Sequence, residues 1–290
     1  MNYFKKTILS LISLILLFNI SVSSQASDQN VTVSANYEVS DLSLNVKYPD
    51  SGSILNWQDL RLYGARVNVE FDKAPRGFDR TNLGIGYSVS SRGHYVDDDS
   101  TNDKNVIGAG AIKASSFNIV YDLFSLEDNK FIPKTRVDFT YLKLRPYDYN
   151  TFGLNKTYFL EGLTCKYDVY KLGLDAGLKI KLVDGAGYIN VSGQAGMGLY
   201  FALADWIHRP DYEHPVSFSD IALSLRCGSG LDMGLRFDEF TIFGEAQIFY
   251  ETSLIRGMCI NFLSGEKSGW EPMSFNLLRT SFSAGVKMDF

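Results

Sequence analysis

Three consecutive carboxylates, Asp97 to Asp99, end the stretch Ser91–Asp99 and are the first candidates for chemistry in this chain. They follow an alternating run, Leu83–Val89, that predicts a β-strand. Like charges held close together raise one another's pKa and cost free energy. One interpretation is a solvated loop end, where water screens the repulsion. The other is a catalytic or cation-binding site at the end of a strand.

A second candidate is the segment Asp211–His214, which places two carboxylates close to a histidine. A carboxylate can orient an imidazole and stabilise its charged form, so that the histidine serves as a general base for water. Asp97 and Asp99 are two apart, so on a continuing strand both share one face and could hold the same water, while Asp98 faces the opposite way. An ordinary surface histidine in a loop is the alternative for His214.

The other histidines and the cysteines indicate no further site. His94 and His208 are interpreted as structural or solvated residues. Cys165, Cys227 and Cys259 are odd in number and widely spaced, which does not predict a disulfide framework. The sequence contains no glycine-rich phosphate loop, no nucleophile-elbow serine and no Cys/His metal spacing, so we expect neither a metal nor a cofactor.

The elements that must position these residues show a period of two. In 279–290, for example, one face carries Phe282, Val286 and Phe290, while the other carries polar or small residues. The segments are longer than sandwich strands and carry charges on the second face. This pattern is typical of a transmembrane β-barrel with lipid outside and a polar lumen. The sequence therefore predicts an all-β fold, a ten-stranded antiparallel barrel, with strands near 31–47, 54–71, 81–96, 107–123, 131–148, 157–182, 187–207, 216–236, 240–257 and 273–290.

The N-terminus predicts export. Lys5 and Lys6 precede an apolar run, and small residues flank a predicted cleavage after Ala26, so 1–26 is interpreted as a signal peptide and 27–290 as one barrel domain. Residues 1–26 hold two of the 28 Lys and Arg residues and none of the 33 Asp and Glu residues, so the mature charge is 26 − 33 = −7. An acidic chain of this kind is not expected to bind nucleic acid.

Loop lengths predict which end of the barrel is outside. Short turns face the periplasm in such barrels and longer loops face the exterior. A periplasmic N-terminus places the loops 48–53, 97–106, 149–156, 208–215 and 258–272 outside, so both acidic candidates share the extracellular end. Trp57, Trp206 and Trp270 also lie at that end, and two of them are near strand ends where an aromatic girdle is expected.

With these candidate residues and this strand pattern, the chain resembles the omptins, the outer-membrane proteases of Gram-negative bacteria. Omptins are ten-stranded barrels of similar length, with a Ser-Arg-Gly segment followed by Val-Asp-x-Asp, as in Ser91–Gly93 and Val96–Asp99 here. Their fourth outer loop ends in an Asp–His pair, which Asp211–His214 resembles. Further similarities are Leu55–Trp57, Tyr141–Arg145 and the closing segment Ser283–Phe290.

The resemblance implies a water-activating endopeptidase that cuts near basic residues, with Asp97 and Asp99 facing an Asp211–His214 pair. The family places its aspartate two residues before the histidine, where this chain has Tyr212. Tyr141, Lys143 and Arg145 match a family site for lipopolysaccharide, which could be required for activity, with Lys143 where the family has an acid. The expected partners are outer-membrane lipid, lipopolysaccharide and basic peptides.

Three other functions stay open at this stage. A non-catalytic barrel of the same architecture, an adhesin or structural protein with a degenerate site, is the main alternative. A small-solute porin is disfavoured, because Glu245, Gln247, Arg279 and Lys287 would fill the narrow lumen of ten strands. A lipid-modifying barrel enzyme is the third, without a motif to support it.

Overall fold

The structure, a computed structural model, describes residues 31–290 except 73, 75–77, 100–105, 126–129, 153–156, 209–211 and 265–268. The predicted signal peptide 1–26 lies outside the described residues. Within the described part, no helix has the length and hydrophobicity needed to cross a membrane.

Twelve strand segments make up the described fold, and each pairs antiparallel with its neighbours. The first and last, β1 and β12, also pair with each other from Thr32–Asp289 to Lys47–Ser274, so the sheet closes. The segments are β1 Val31–Tyr48, β2 Ser53–Phe71, β3 Arg80–Asp99, β4 Val106–Phe124, β5 Phe131–Phe152, β6 Thr157–Leu163, β7 Cys165–Asp184, β8 Gly187–Trp206, β9 Phe218–Arg236, β10 Phe240–Ser253, β11 Gly257–Asn261 and β12 Gly269–Asp289.

Two pairs of these segments each form one strand of the barrel. β6 and β7 both pair with β5 and are separated only by Thr164. β10 and β11 both pair with β9 and β12, on either side of a short interruption at 254–256. The result is a closed antiparallel barrel of ten strands, which confirms the fold predicted from the period-two pattern.

The outer surface of the barrel carries the apolar side chains that the alternation predicts. On β7 and β9, for example, Leu172, Leu174, Leu223 and Leu225 are all exposed. Their neighbours in sequence point inward, as expected when successive side chains of a strand face opposite sides. This outward apolar band is the surface that a lipid bilayer would cover.

The interior has two layers, and only one agrees with the predicted polar lumen. Towards the end with the short turns, charged side chains line the lumen in ion pairs between nearby strands, including Lys179–Asp232 at 2.6 Å and Arg136–Asp122 at 2.7 Å. Towards the other end the lumen is filled by apolar and aromatic side chains. The largest of these buried side chains are Trp57, Tyr95, Tyr167, Tyr200 and Phe275.

This aromatic layer corrects the prediction of a tryptophan girdle. Trp57 is 1% exposed, and its ring lies 4.6 Å from Tyr167 and 5.5 Å from Tyr95. Trp206 also packs inward, at 6.3 Å from Tyr95. Only Trp270, at 73% exposed, points away from the protein. Trp57 and Trp206 therefore close the lumen instead of marking a membrane interface.

The strand boundaries differ from the prediction mainly at the end with the long loops. β3 continues to Asp99, so the three carboxylates stand in a strand and not in the predicted loop 97–106. The predicted loop 258–272 contains most of β11 and the start of β12. At the opposite end, by contrast, the short turns lie close to their predicted positions. The main chains of Val31 and Phe290 are hydrogen-bonded to each other at that end.

Candidate functional site

Asp97 reaches the lumen because β3 contains an irregularity. Before it, Ser88 is buried in the barrel, so even-numbered residues face inward. The pairing with β4 then shifts between Val89 and His94, and beyond that shift Tyr95 is the buried residue. A bulge of this kind reverses which side chains face the core. Asp97, two residues after Tyr95, therefore lies on the inner face above the aromatic layer.

The other two carboxylates of this stretch are only partly described. The backbone of Asp98 pairs with Ile107, and that of Asp99 pairs with Val106 at the very end of β3. Their side chains lie outside the described part of the chain. The predicted Asp97–Asp99 pair on one face is therefore left as a prediction.

His214 has a carboxylate partner that the sequence analysis did not identify. Its Nδ1 lies 2.7 Å from Oδ1 of Asp205, the next-to-last residue of β8. The side chain of Asp205 is only 7% exposed, whereas that of His214 is 41% exposed. Asp211, the predicted partner, lies outside the described residues.

A second cation shares the carboxylate of Asp205. Lys166 Nζ donates to Oδ2 at 3.0 Å from the opposite strand, since Lys166 and Asp205 are direct partners in the β7–β8 register. Ala204 is buried and Trp206 packs into the lumen, so alternation places the side chain of Asp205 on the outer face of the wall. The Lys166–Asp205–His214 group therefore stands on the outside of the barrel rim.

The loop that carries His214 is fixed at both ends by backbone bonds. The N–H of Ser217 donates to the carbonyl of Ala204 at 2.7 Å, and the Ser217 hydroxyl accepts from the N–H of Trp206 at 2.9 Å. Farther along, the N–H of Glu213 donates to the carbonyl of Phe262 at 2.8 Å. These bonds hold His214 over the end of β8.

Tyr212, which stands where the family has its aspartate, belongs to the same framework. It forms an isolated antiparallel bridge with Leu263, and its carbonyl accepts from the Ser264 hydroxyl at 2.9 Å. The backbone at Tyr212 thus pairs with the loop after β11 and helps to hold the His214 loop in place.

The ends of β3 and β8 meet through their aromatic side chains. The Tyr95 and Trp206 rings, two residues before Asp97 and one after Asp205, lie 6.3 Å apart. Cys165 opens β7 opposite Trp206 and is buried in the wall at the same level.

The chemistry available at this rim is that of a histidine base. A carboxylate on Nδ1 holds the imidazole in one tautomer and stabilises the imidazolium, so Nε2 can take a proton from water. Among the described residues, no group of three or more His, Cys, Asp or Glu side chains is placed to hold a metal ion.

The three residues predicted to bind lipopolysaccharide form one outward-facing group. The Tyr141 ring stacks on Tyr170 with centroids 5.0 Å apart, and its hydroxyl donates to Asp168 at 3.2 Å. Arg145 donates to the same carboxylate at 2.6 Å. Lys143 lies opposite Asp168 in the register and is exposed. The cations therefore sit just beyond the apolar band, on its long-loop side.

Comparisons with known proteins support the fold alone. No protein-family model matches the chain, and no curated protein matches it by sequence. Among solved structures, the outer membrane protease OmpT from Escherichia coli matches with a TM-score of 0.63 at 10% identity, covering 91% of this chain and 97% of that one. The translocator domain of the autotransporter NalP from Neisseria meningitidis matches with a TM-score of 0.43, also at 10% identity, covering 98% of this chain and 97% of that one. The chain is thus similar to OmpT in its closed ten-stranded barrel.

Proposed function

We propose that this chain is an omptin-like outer-membrane endopeptidase that cuts peptides near basic residues at its extracellular end. The observation that carries the proposal is the bond between His214 Nδ1 and Asp205 at 2.7 Å, at the same rim as Asp97. A buried carboxylate that fixes an exposed imidazole suits general-base catalysis, because it orients the ring and stabilises its charged form. The sequence resemblance to omptins supports the same activity, and the closed ten-stranded barrel is compatible with it.

In this mechanism His214 removes a proton from water, and the hydroxide attacks the peptide carbonyl carbon. The imidazolium, stabilised by Asp205, then returns the proton to the amine nitrogen as the C–N bond breaks. Asp97, with Asp99, holds the water and helps to polarise the peptide carbonyl. Asp211 is the alternative partner for His214 that the family pattern suggests. No nucleophilic side chain takes part, so no acyl-enzyme forms, and serine-directed reagents should leave the activity intact.

The membrane setting is part of the proposal. The outward apolar band would lie in the outer membrane, with the long-loop end and the rim outside the cell. Tyr141, Lys143 and Arg145 would contact the anionic headgroups of lipopolysaccharide, which serves as a lipid partner and could be required for activity. The negative charge of the mature chain would attract cationic peptides, with an association rate that falls as salt rises.

One observation favours the second candidate, a non-catalytic barrel that acts as an adhesin or structural protein. Asp205 and His214 stand on the outer face of the rim, whereas Asp97 belongs to the inner face. Lys166 also occupies one oxygen of Asp205. If Asp97 and the Asp205–His214 pair do not contact one shared water, the pair is a structural polar cluster and the protein does not cleave peptides.

The deciding experiment is cleavage of a fluorogenic peptide containing Arg or Lys, in micelles that contain lipopolysaccharide. Loss of a general base typically costs about 10²–10⁴-fold, so His214→Ala should remove most of the activity while the barrel stays folded. Asp97→Ala should act likewise. Asp50→Asn, which changes an exposed carboxylate in a turn at the same end of the barrel, is the matched control and should keep full activity.

The outcome separates the two candidates. Cleavage by the wild type that is lost in His214→Ala and Asp97→Ala supports the endopeptidase. No cleavage by the folded wild type leaves the non-catalytic barrel in its place, whereas equal cleavage by wild type and His214→Ala refutes His214 as the base.

A further inference from the structure

The hairpin of β5 and β6 rises beyond the end of β8, and within the described part of the chain β6 is paired along one edge only. β6 pairs with β5 from Leu163–Tyr147 to Thr157–Phe152. On its other side, no residue in the described ranges pairs with β6. The neighbouring strand β8 covers β7 only as far as the Cys165–Trp206 pair. Residues of β6 therefore continue the wall upward with one row of main-chain groups that no described strand covers.

One hydrogen bond fixes which main-chain groups face this edge. The N–H of Gly162 points toward β5, because it donates to Oδ1 of Asp148 at 2.9 Å. In a trans peptide the preceding carbonyl points the opposite way, so the carbonyl of Glu161 faces the uncovered side. In an extended strand the N–H of Glu161 faces the same side as its carbonyl, and so do the main-chain groups of Phe159.

The uncovered edge starts at the candidate site. The last bond across this wall runs from the N–H of Ile207 to the carbonyl of Thr164, at 3.3 Å. Asp205, the partner of His214, is two residues before Ile207 on β8. A chain lying along β6 would therefore continue the line of β8 and end beside the Asp205–His214 pair.

The charge along this edge favours a cationic occupant. Glu161 on β6 and Glu213 beside His214 are both exposed, whereas Lys166 at the start of this edge is paired with Asp205. Exposed strand edges accept extended peptides through main-chain bonds, which fix the register of the bound chain without selecting its sequence. Carboxylates next to such an edge would favour peptides that carry Arg or Lys.

We propose that the free edge of β6 binds the peptide substrate as an added β-strand, with Glu161 and Phe159 supplying the main-chain bonds. This inference rests on the proposed endopeptidase and adds how its substrate is held. The added strand would place a peptide bond of the substrate at His214, in a register set by the N–H and C=O groups of β6. Sequence preference would then come from charge, and not from a deep pocket, because the aromatic layer fills the lumen below.

The test uses one basic peptide made with a single backbone N-methyl group at each successive position. Binding is measured by fluorescence anisotropy on His214→Ala protein, which keeps the peptide intact, and cleavage is measured on the wild type. Methylation at alternate positions should weaken binding about 2- to 10-fold, because each affected N–H is bonded to β6, and should have little effect in between. Glu161→Pro, which removes the edge N–H, should weaken binding, whereas Glu161→Gln should reduce only its salt dependence.

The N-methyl groups are on the peptide, so that series uses protein with an unchanged β6 edge. The test therefore stays decisive even if Glu161→Pro does not fold. A period of two in binding supports the added strand. Equal effects at all positions, no effect at any, or a second copy of the protein bound through β6 would overturn it. Periodic binding without cleavage by the wild type would retain the added strand and refute the endopeptidase. Cleavage by the wild type without periodic binding would retain the endopeptidase and refute the added strand.

Discussion

Replacing Asp205 with asparagine tests whether this carboxylate is the partner of His214. The change keeps the shape of the side chain but removes its charge, both at His214 Nδ1, 2.7 Å away, and at Lys166 Nζ, 3.0 Å away. Because the carboxylate is only 7% exposed, little solvent is present to replace the lost charge. Hydrogen bonds to charged groups contribute about 1.5–3 kcal/mol.

That free energy sets the expected size of the effect. About 1.36 kcal/mol corresponds to tenfold in rate, so 1.5–3 kcal/mol predicts that kcat falls about 10- to 150-fold with little change in KM. The Lys166 pair adds little, because the Lys166 side chain is 44% exposed and exposed pairs contribute about 0–1 kcal/mol. The assay is cleavage of the basic fluorogenic peptide, after circular dichroism has shown that the barrel is folded.

The same assay on Asp211→Asn decides between the two possible partners. A large loss for Asp205→Asn and a smaller one for Asp211→Asn would agree with the structure. A folded Asp205→Asn protein that cleaves within twofold of the wild type, beside an inactive Asp211→Asn protein, would refute the reasoning from the observed bond. The Asp50→Asn control shows whether any loss reflects only the total charge at this end.

Two further predictions concern the lumen and the lipid surface. Asp138→Ala leaves Arg226, whose side chain is 4% exposed, without its 2.5 Å partner, although Asp175 remains at 3.4 Å. Unfolding in urea should show a loss of about 3–5 kcal/mol, as for other broken buried pairs, and an unchanged midpoint would mean that Asp175 compensates. Lys143→Glu should weaken the dependence of activity on lipopolysaccharide more than a charge change on the lumen side would, because Lys143 is exposed and unlike Arg145 has no short bond to Asp168. If lipopolysaccharide activates Lys143→Glu and the lumen-side variant equally in a titration, the Tyr141–Lys143–Arg145 group is not the lipopolysaccharide site.

The fold could be predicted because its signal is repeated along the whole chain. Each strand must alternate apolar and polar faces to lie between lipid and lumen, so even uncertain boundaries give the correct pairing. The closure of β1 on β12 follows from the same alternation and from an even strand count. The aromatic layer could not be predicted in this way, because Trp57 and Trp206 near strand ends fit a membrane girdle and a filled lumen equally well.

The candidate site was harder to predict because it depends on single irregularities. The shift between Val89 and His94 decides that Asp97 faces inward, and nothing in the sequence marks it except Gly93. Asp205 was missed because it lies nine residues before His214, within a strand where one polar residue is unremarkable. The signal was its place between two inward-facing residues, Ala204 and Trp206. This place puts an acid on the outer face of β8, which is otherwise apolar.

The position of Asp205 also bears on the departure from the family at Tyr212. When the carboxylate lies in the same loop as the histidine, their contact depends on the number of residues between them, so one substitution can break the pair. A carboxylate at the end of β8 is held by the wall, and the loop needs only to return His214 to it through the Ser217 and Glu213 bonds. The substitution at Tyr212 therefore does not by itself remove the base. What decides catalysis is whether Asp97, on the inner face, and His214, on the outer rim, can contact one water across the end of β7.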